Sequence, residues 1–298
     1  MRTPILLSSV LLGACYTTLD GSGGELTLSY VHGGLLESVS NPIAAGLMAK
    51  VQIQDASSDQ TILIASAEAG DASVLAVDTI SEDRMIISGL ADGQATLLVN
   101  TASGIEDRFT LQVQSIDAVQ YTDLMLGVSA DEYAIASGAT VLLPRTVYGA
   151  DGQILTGYGL SAPAFVPEGS AEFVSDGESN ASTVHFPLPG EVTVSVGDGA
   201  PITYSIVDGA EVDWTIDYAD EETLPVNSGL ALSLTGADST DRLVVGSLSS
   251  FDETICTVTS LLDSATLFMV ATLAEGECQL ALNGDFSAPV VSYSIIPE

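Results

Sequence analysis

The sequence predicts an all-β protein built from tandem β-sandwiches, and three observations support this prediction. Short stretches alternate apolar and polar residues with a period of two, as in KVQIQ at 50–54 and VTVSV at 192–196. Clusters of turn-forming residues, such as GADGQ and SDGESN, separate these stretches. A pattern of strand, turn glycine and strand recurs along the chain, at a spacing that fits sandwiches of about seven strands each.

The composition favours a folded and strongly acidic protein. At 298 residues and 46% hydrophobic residues, the chain can form two or three packed domains. It carries 40 acidic against 6 basic residues, a net charge of −34, and Lys50 is its only lysine. This charge repels phosphates and anionic head groups, so we expect no nucleic-acid partner. Two interpretations of the acidity remain open: a solvated coat suited to a saline habitat, or a site for a divalent cation.

The first 25 residues predict an export signal followed by a tether. Arg2 provides a positive charge, and residues 5–14 form an apolar stretch that is too short to cross a bilayer core of about 30 Å. We therefore interpret residues 1–14 as a signal peptide. Residues 15–25 include the polar, glycine-rich YTTLDGSGG and predict a flexible tether.

The end of the signal, Leu12-Gly13-Ala14-Cys15, resembles the lipobox of bacterial lipoproteins. The resemblance implies cleavage before Cys15, a lipid on its sulfur and acylation of the new amino terminus, so the membrane is the first expected partner. Cys15 is followed by Tyr16 rather than by aspartate, which in the enterobacterial pattern implies the outer membrane. The alternative is an ordinary secretory signal with a cysteine near its end.

The two remaining cysteines, Cys256 and Cys278, predict a disulfide. They form an even pair in an exported protein and would close a loop of about 23 residues, which would stabilise the fold by about 3 kcal/mol. A metal-binding pair is the alternative, but His32 and His185 are both distant in sequence.

An internal repeat connects these cysteines with an earlier part of the chain. DASVLAVDT at 71–79 and ADGQATLLVN at 91–100 align with DETICTVTS at 252–260 and AEGECQLALN at 274–283. In this alignment Leu75 matches Cys256 and Ala95 matches Cys278, which predicts a facing pair of inward positions on neighbouring strands. Residues 170–177 and 189–199, SAEFVSDG and PGEVTVSVGDG, form a third copy between them.

The stretch ISGLADGQATLLVNTASGIEDRFTLQV at 87–113 resembles the bacterial Ig-like modules of group 2. In both, a glycine-led strand is followed by a loop and a final alternating strand. The resemblance implies immunoglobulin-like sandwiches at 26–116, 117–209 and 210–298, and it brings no shared catalytic residues.

We find no residue pattern for catalysis and one candidate for cation binding. Neither histidine lies in a nucleophile context, and the phosphate-loop, zinc-protease and dinucleotide motifs are absent from the sequence. We therefore predict no catalytic residues, no cofactor and no metal ligand, with one open exception. The calcium candidates, just past the second domain boundary, are Asp213, Asp217, Asp220 and Glu221. The alternative for these carboxylates is solvated loop charge. Trp214, in the same stretch, is expected in the core, at the domain junction or as an exposed carbohydrate platform.

These observations predict a non-enzymatic cell-envelope lipoprotein, a lipid-tethered rod that serves as spacer, scaffold or adhesion surface. Its expected partners are the membrane and another envelope protein or glycan. The alternative function is a calcium- or carbohydrate-binding module of an envelope complex.

Overall fold

The computed structural model describes residues 18–31, 38–121, 132–175, 181–196, 200–217, 223–261 and 264–297. This part of the chain consists of 27 β-strands, one 3₁₀ turn at Gly209–Glu211, and loops. Within it, no helix has the length and apolar character needed to cross a membrane. The prediction of an all-β protein is confirmed.

Module 1 is a two-sheet sandwich of nine strands. Its strands are β1 (Leu19–Asp20), β2 (Leu26–Tyr30), β3 (Ile43–Ala44), β4 (Met48–Asp55), β5 (Ile64–Ala69), β6 (Leu75–Ser81), β7 (Arg84–Gly89), β8 (Gly93–Thr101) and β9 (Glu106–Gln114). One sheet has the order β1-β2-β4-β7-β6 and the other β3-β9-β8-β5. With β2, β4, β7 and β6 named A, B, E and D, and β3, β9, β8 and β5 named A′, G, F and C, this is the strand order of an immunoglobulin sandwich.

Module 2 repeats this order. Its strands are β10 (Ala118–Tyr121), β11 (Tyr133–Ala136), β12 (Thr140–Tyr148), β13 (Ile154–Leu155), β14 (Ala164–Val166), β15 (Glu172–Ser175), β16 (Ala181–His185), β17 (Gly190–Ser195) and β18 (Ile202–Val207). The A-B-E-D sheet is β10-β12-β16-β15, the A′-G-F-C sheet is β11-β18-β17-β14, and the extra strand β13 pairs with β12.

Module 3 has the same order a third time. Its strands are β19 (Asp213–Asp217), β20 (Thr223–Pro225), β21 (Gly229–Ala237), β22 (Leu243–Val245), β23 (Leu248–Ser250), β24 (Cys256–Ser260), β25 (Leu267–Thr272), β26 (Gly276–Leu282) and β27 (Val291–Ile296). The sheets are β19-β21-β25-β24 and β20-β27-β26-β23, with β22 as an extra strand beside β21. Strand order therefore confirms the predicted immunoglobulin-like sandwiches.

Period-two alternation builds each core. In β9, Phe109, Leu111 and Val113 are buried, whereas the residues between them are exposed. Each fully buried side chain of this size contributes about 1.5–3 kcal/mol. Large alternating side chains on both sheets therefore build one core cluster around each module, and the cluster of module 2 also takes in Val244 and Val245 from β22 of module 3.

The glycine that recurs in the sequence repeat begins strand F of every module. Gly93, Gly190 and Gly276 have φ angles of +151°, +143° and +148°. Side chains disfavour this backbone region, so glycine is needed at this turn into the strand. The repeated glycine thus marks one geometrical requirement that the three modules share.

The cysteines form the predicted disulfide, but not between neighbouring strands. Cys256 and Cys278 are bonded, with their Cα atoms 5.7 Å apart, and both are fully buried. They lie on strands D and F, which belong to opposite sheets, so the bond crosses the sandwich. The expectation of neighbouring strands was wrong because alternation shows that a residue faces inward but not which sheet carries it. Leu75 and Ala95 are buried in the core at the matching positions of module 1.

Residues 18–25, predicted as part of a flexible tether, are instead attached to module 1. Leu19 and Asp20 pair with β2 as an added edge strand. The carboxylate of Asp107, only 2% exposed, accepts hydrogen bonds from the backbone N–H groups of Gly23 (2.6 Å), Glu25 (3.1 Å), Leu26 (3.2 Å) and Arg108 (2.8 Å). Burial alone would raise the pKa of Asp107, but these four donors outweigh it and hold the pKa below its ordinary value of 3.8. The glycine-rich composition predicted flexibility here. It could not reveal the contact with Asp107, because Asp107 lies more than 80 residues further along the chain.

Candidate functional site at the module junctions

The junction between modules 1 and 2 is made by backbone pairing. Ala44, on strand A′ of module 1, donates its N–H to the carbonyl of Thr156 at 2.8 Å, and Thr156 donates to the carbonyl of Pro42 at 2.8 Å. Met48 and Tyr158 exchange a second pair of backbone bonds, 3.0 and 2.8 Å long. Four main-chain hydrogen bonds therefore join strand A′ and the start of strand B to the segment that follows β13.

A small apolar cluster seals this first junction. Ala44 and Leu47 of module 1 pack with Val147 and Leu155 of module 2, and all four are buried. Gly157 allows the close approach, because a Cβ atom there would lie 2.8 Å from the Cβ of Leu47 and its φ is +137°. The cluster is separate from the cores of the two modules.

The junction between modules 2 and 3 extends the same arrangement into a continuous sheet. Strand A′ of module 2, β11, pairs in parallel with β22 of module 3 in the register Tyr133↔Leu243 to Ile135↔Val245. Its other edge pairs in parallel with β18. β11 therefore links the A′-G-F-C sheet of module 2 to the A-B-E-D sheet of module 3.

Trp214 is shared by the cores of modules 2 and 3. Its half-buried ring packs against both hydrophobic clusters, and its Nε1–H donates to the carbonyl of Gly209 at 3.1 Å. A Cβ atom at Gly236 or Gly246 would lie 2.7 or 2.6 Å from this ring, so both glycines make room for it. The sequence left three positions open for Trp214: the core, the domain junction and an exposed carbohydrate platform. The structure shows it at the junction.

Asn283 and Ser247 complete the second junction with polar contacts. Ser247 and Asn283 are joined by two hydrogen bonds of 2.8 Å, one to the Asn283 side chain and one between backbones. The Ser247 hydroxyl accepts the backbone N–H of Thr140 in module 2 at 3.0 Å. Asn100, the sequence match of Asn283 in module 1, instead donates a 3.3 Å side-chain hydrogen bond to the hydroxyl of Ser66 within its own module.

A short motif at the end of strand A′ recurs in all three modules, and the sequence analysis missed it. The motif reads IAAG at 43–46, IASG at 135–138 and LPVN at 224–227. Its last residue is left-handed in each copy, with φ of +85° at Gly46, +80° at Gly138 and +61° at Asn227. The signal was an apolar residue followed three positions later by glycine or asparagine, the residue types that tolerate this conformation.

Two of the four predicted calcium ligands lie in the described part of the chain, and the structure does not bring these two together. Asp213 and Asp217 are exposed on one face of β19, four residues and therefore roughly 13 Å apart along the strand. Asp220 and Glu221 lie outside the described residues, as do Cys15 and His32. Within the described ranges, no group of three or more His, Cys, Asp or Glu side chains is placed to hold a metal ion. His185 ends β16, with its Nδ1 3.2 Å from the hydroxyl of Thr140.

Part of the acidic charge has a structural role in turns. Five aspartates each accept hydrogen bonds from the serine or threonine two residues later, which lowers the pKa of each carboxyl: Asp55, Asp71, Asp238, Asp252 and Asp285. The largest shift is at Asp238, where the Thr240 hydroxyl is the main cause and the pKa falls to about 2. The D-x-[ST] pattern thus orders loops at the surface.

Comparisons with known proteins find distant structural likeness and no family. No family model and no curated protein matches the chain. Domains 4–9 of the surface layer protein SbsC have 14% identity and a TM-score of 0.29; the alignment covers 94% of this chain, which spans 48% of that structure. The integrin-binding protein invasin has 13% identity and a TM-score of 0.24, with 91% of this chain and 60% of invasin covered. The fibronectin(III)-like modules of Clostridium thermocellum CbhA have 15% identity and a TM-score of 0.21, with 61% and 93% covered. The fold assignment rests on strand order, and we draw no functional argument from these likenesses.

Proposed function

We propose that this protein is a non-enzymatic, lipid-anchored envelope protein whose three modules form a stiff spacer or scaffold. The observation that carries the proposal is β11, which is paired on both edges and joins sheets of two modules. A flexible linker would let modules 2 and 3 turn independently, whereas a shared strand and a shared Trp214 hold them in one orientation.

The proposed anchor is Cys15, because Leu12-Gly13-Ala14-Cys15 follows a short apolar stretch as a lipobox does. We place the protein at the outer membrane, with another envelope protein or a glycan as its partner. A net charge of −34 disfavours adhesion to anionic lipid, so a covalent lipid is the attachment that suits this surface.

The test is replacement of Cys15 by serine, followed by separation of membrane and soluble fractions. The unmodified protein is expected in the membrane fraction, and the C15S variant in the soluble fraction at an unchanged melting temperature. The matched control is the double variant Cys256→Ser and Cys278→Ser, which loses the disulfide but should keep the anchor. If C15S stays with the membrane after a high-salt wash, the anchor proposal is wrong.

A further inference from the structure

Strand A′ of module 3 is the counterpart of the two strands that make the junctions. β20 pairs in parallel with strand G at Leu224↔Ile295, as β3 does at Ile43↔Val113 and β11 at Ile135↔Ile206. In modules 1 and 2, the other edge of A′ receives a segment of the next module. In the part of the chain that the structure describes, no strand pairs with that edge of β20.

The position that makes the junction bond can be identified from the hydrogen bonds. In module 1, Ala45 donates its N–H to Gln114 of strand G, and Ala44 donates to Thr156 of module 2, so successive residues face opposite edges. Ser137 and Val226 donate to strand G in their own modules, which makes them the counterparts of Ala45. The preceding residues, Ala136 and position 225, therefore face the junction edge.

Position 225 is a proline, and it lacks the donor that a junction requires. Its exposed ring stands where Ala44 presents an N–H to Thr156. The carbonyl of Pro225 accepts hydrogen bonds from the hydroxyl groups of Ser228 and Thr272, both 2.7 Å long. Proline on an edge strand is a known means of blocking strand addition.

We infer that the residue at this position decides whether an A′ edge accepts a neighbouring module, and that Pro225 closes module 3 against a second copy of this chain. The segment of a second copy that would pair there is Thr61–Leu63. It follows strand B and its hairpin in module 1, as Ile154–Thr156 follows strand B in module 2. Leu63 is 57% exposed. Its carbonyl accepts a hydrogen bond from the N–H of Ala102 and has a second lone pair with which it could accept another.

The first experiment moves the proline into a working junction. Backbone hydrogen exchange is measured at Leu243 and Val245 in the full chain and in Ala136→Pro, with Ala136→Ser as the control that keeps the N–H group. Exchange is expected to rise by about tenfold or more in A136P and to stay within about twofold in A136S. Unchanged exchange in A136P would overturn the inference. Pro225 shows that this position of strand A′ can have the backbone conformation that proline requires.

The second experiment removes the proline from the closed edge. Pro225→Ala is expected to associate with increasing concentration in sedimentation experiments, while the unmodified chain and the control Thr223→Ala do not. About 1 M NaCl is used to screen the repulsion between two chains of charge −34. Adding Leu63→Asp to P225A should abolish association. A monomeric P225A would show that Pro225 is not what closes the edge, and association that survives L63D would overturn the assignment of Thr61–Leu63.

Discussion

The two junctions use the same backbone pairing but are sealed in different ways. In both, strand A′ of one module pairs with the segment after strand B of the next. The first junction is filled by a small cluster around Leu47 and Leu155 that is separate from the cores of both modules. The second is filled by Trp214, which packs against the cores of both modules.

This difference has a thermodynamic meaning. A cluster that belongs to neither core can be disturbed while both modules stay folded. A side chain that is part of two cores couples their unfolding, because removing it leaves a cavity in each. We therefore expect modules 2 and 3 to behave as one cooperative unit and module 1 to be more independent.

The largest expected effect is at the shared side chain. Trp214→Ala should lower the free energy of unfolding by about 3–5 kcal/mol and should destabilise modules 2 and 3 together. Calorimetry gives the size of the loss, and hydrogen exchange of β18 and β25 shows which modules carry it. Trp214→Phe, which keeps an aromatic ring, should lose clearly less. A loss confined to β25 would contradict the shared core.

The matching change at the first junction should be smaller and local. Leu155→Ala is expected to cost about 2–3 kcal/mol, because it empties part of a small cluster. Hydrogen exchange should rise at Ala44 and Thr156, while β25 keeps its protection. Leu63→Ala, an exposed leucine, serves as control with an expected effect under about 0.5 kcal/mol. Equal loss of protection in module 3 would mean that the junctions do not differ.

A change at the other end of module 1 tests whether disturbance passes through the first junction. Asp107→Asn should cost about 1–3 kcal/mol at pH 7, because a neutral amide replaces a buried carboxylate that accepts four N–H groups. The folded-state pKa of Asp107 is lowered, so its contribution is fully present above pH 3.8 and is lost as the pH falls through the folded value. The difference between the variant and the unmodified chain in urea unfolding should therefore shrink below pH 3.8. A constant difference down to pH 2 would contradict the expected pH dependence. Loss of hydrogen-exchange protection in module 2 would show that the disturbance passes through the first junction.

The smallest expected effect concerns the hairpin before β22. Asp238 has a pKa of about 2, so protonation should loosen this hairpin only as the pH falls from about 4 through 2. The measurement is exchange at Thr240 and Arg242, whose N–H groups Asp238 accepts. Arg242→Gln removes the 3.0 Å ion pair and should change little, because the Thr240 hydroxyl is the main cause of the lowered pKa of Asp238 and the Arg242 side chain contributes least. Loosening already at pH 6 would contradict the lowered pKa.

Local patterns predicted the sandwiches well and their connections poorly. Alternation and the repeat placed Cys256 and Cys278 together and identified the glycine that begins strand F, because each depends on residues close in sequence. The junctions depend on pairs such as Ala44 with Thr156, more than 100 residues apart, and composition carries no information about such pairs. The repeated IAAG, IASG and LPVN motif was visible, but only the structure shows that its second residue faces the next module in modules 1 and 2.

The two described calcium candidates show a second limit of sequence reasoning. Asp213 and Asp217 are close in sequence, but an extended strand separates their carboxylates rather than converging them. The hydrogen bonds show that five other aspartates are engaged by their own turns, which the D-x-[ST] spacing would have predicted.

The attachment of residues 19–26 to module 1 would limit how far a protein anchored at Cys15 can stand from its membrane. If Cys15 carries the lipid, only residues 16–18 separate it from β1, which begins at Leu19. An extended chain covers at most about 3.3–3.6 Å per residue, so the connection from Cys15 to Leu19 can be no longer than roughly 14 Å. Module 1 would then sit within about two Debye lengths of the head groups at physiological salt. There its acidic surface would be repelled by an anionic leaflet, and so short a connection would turn that repulsion into a force that holds the three modules away from the membrane surface.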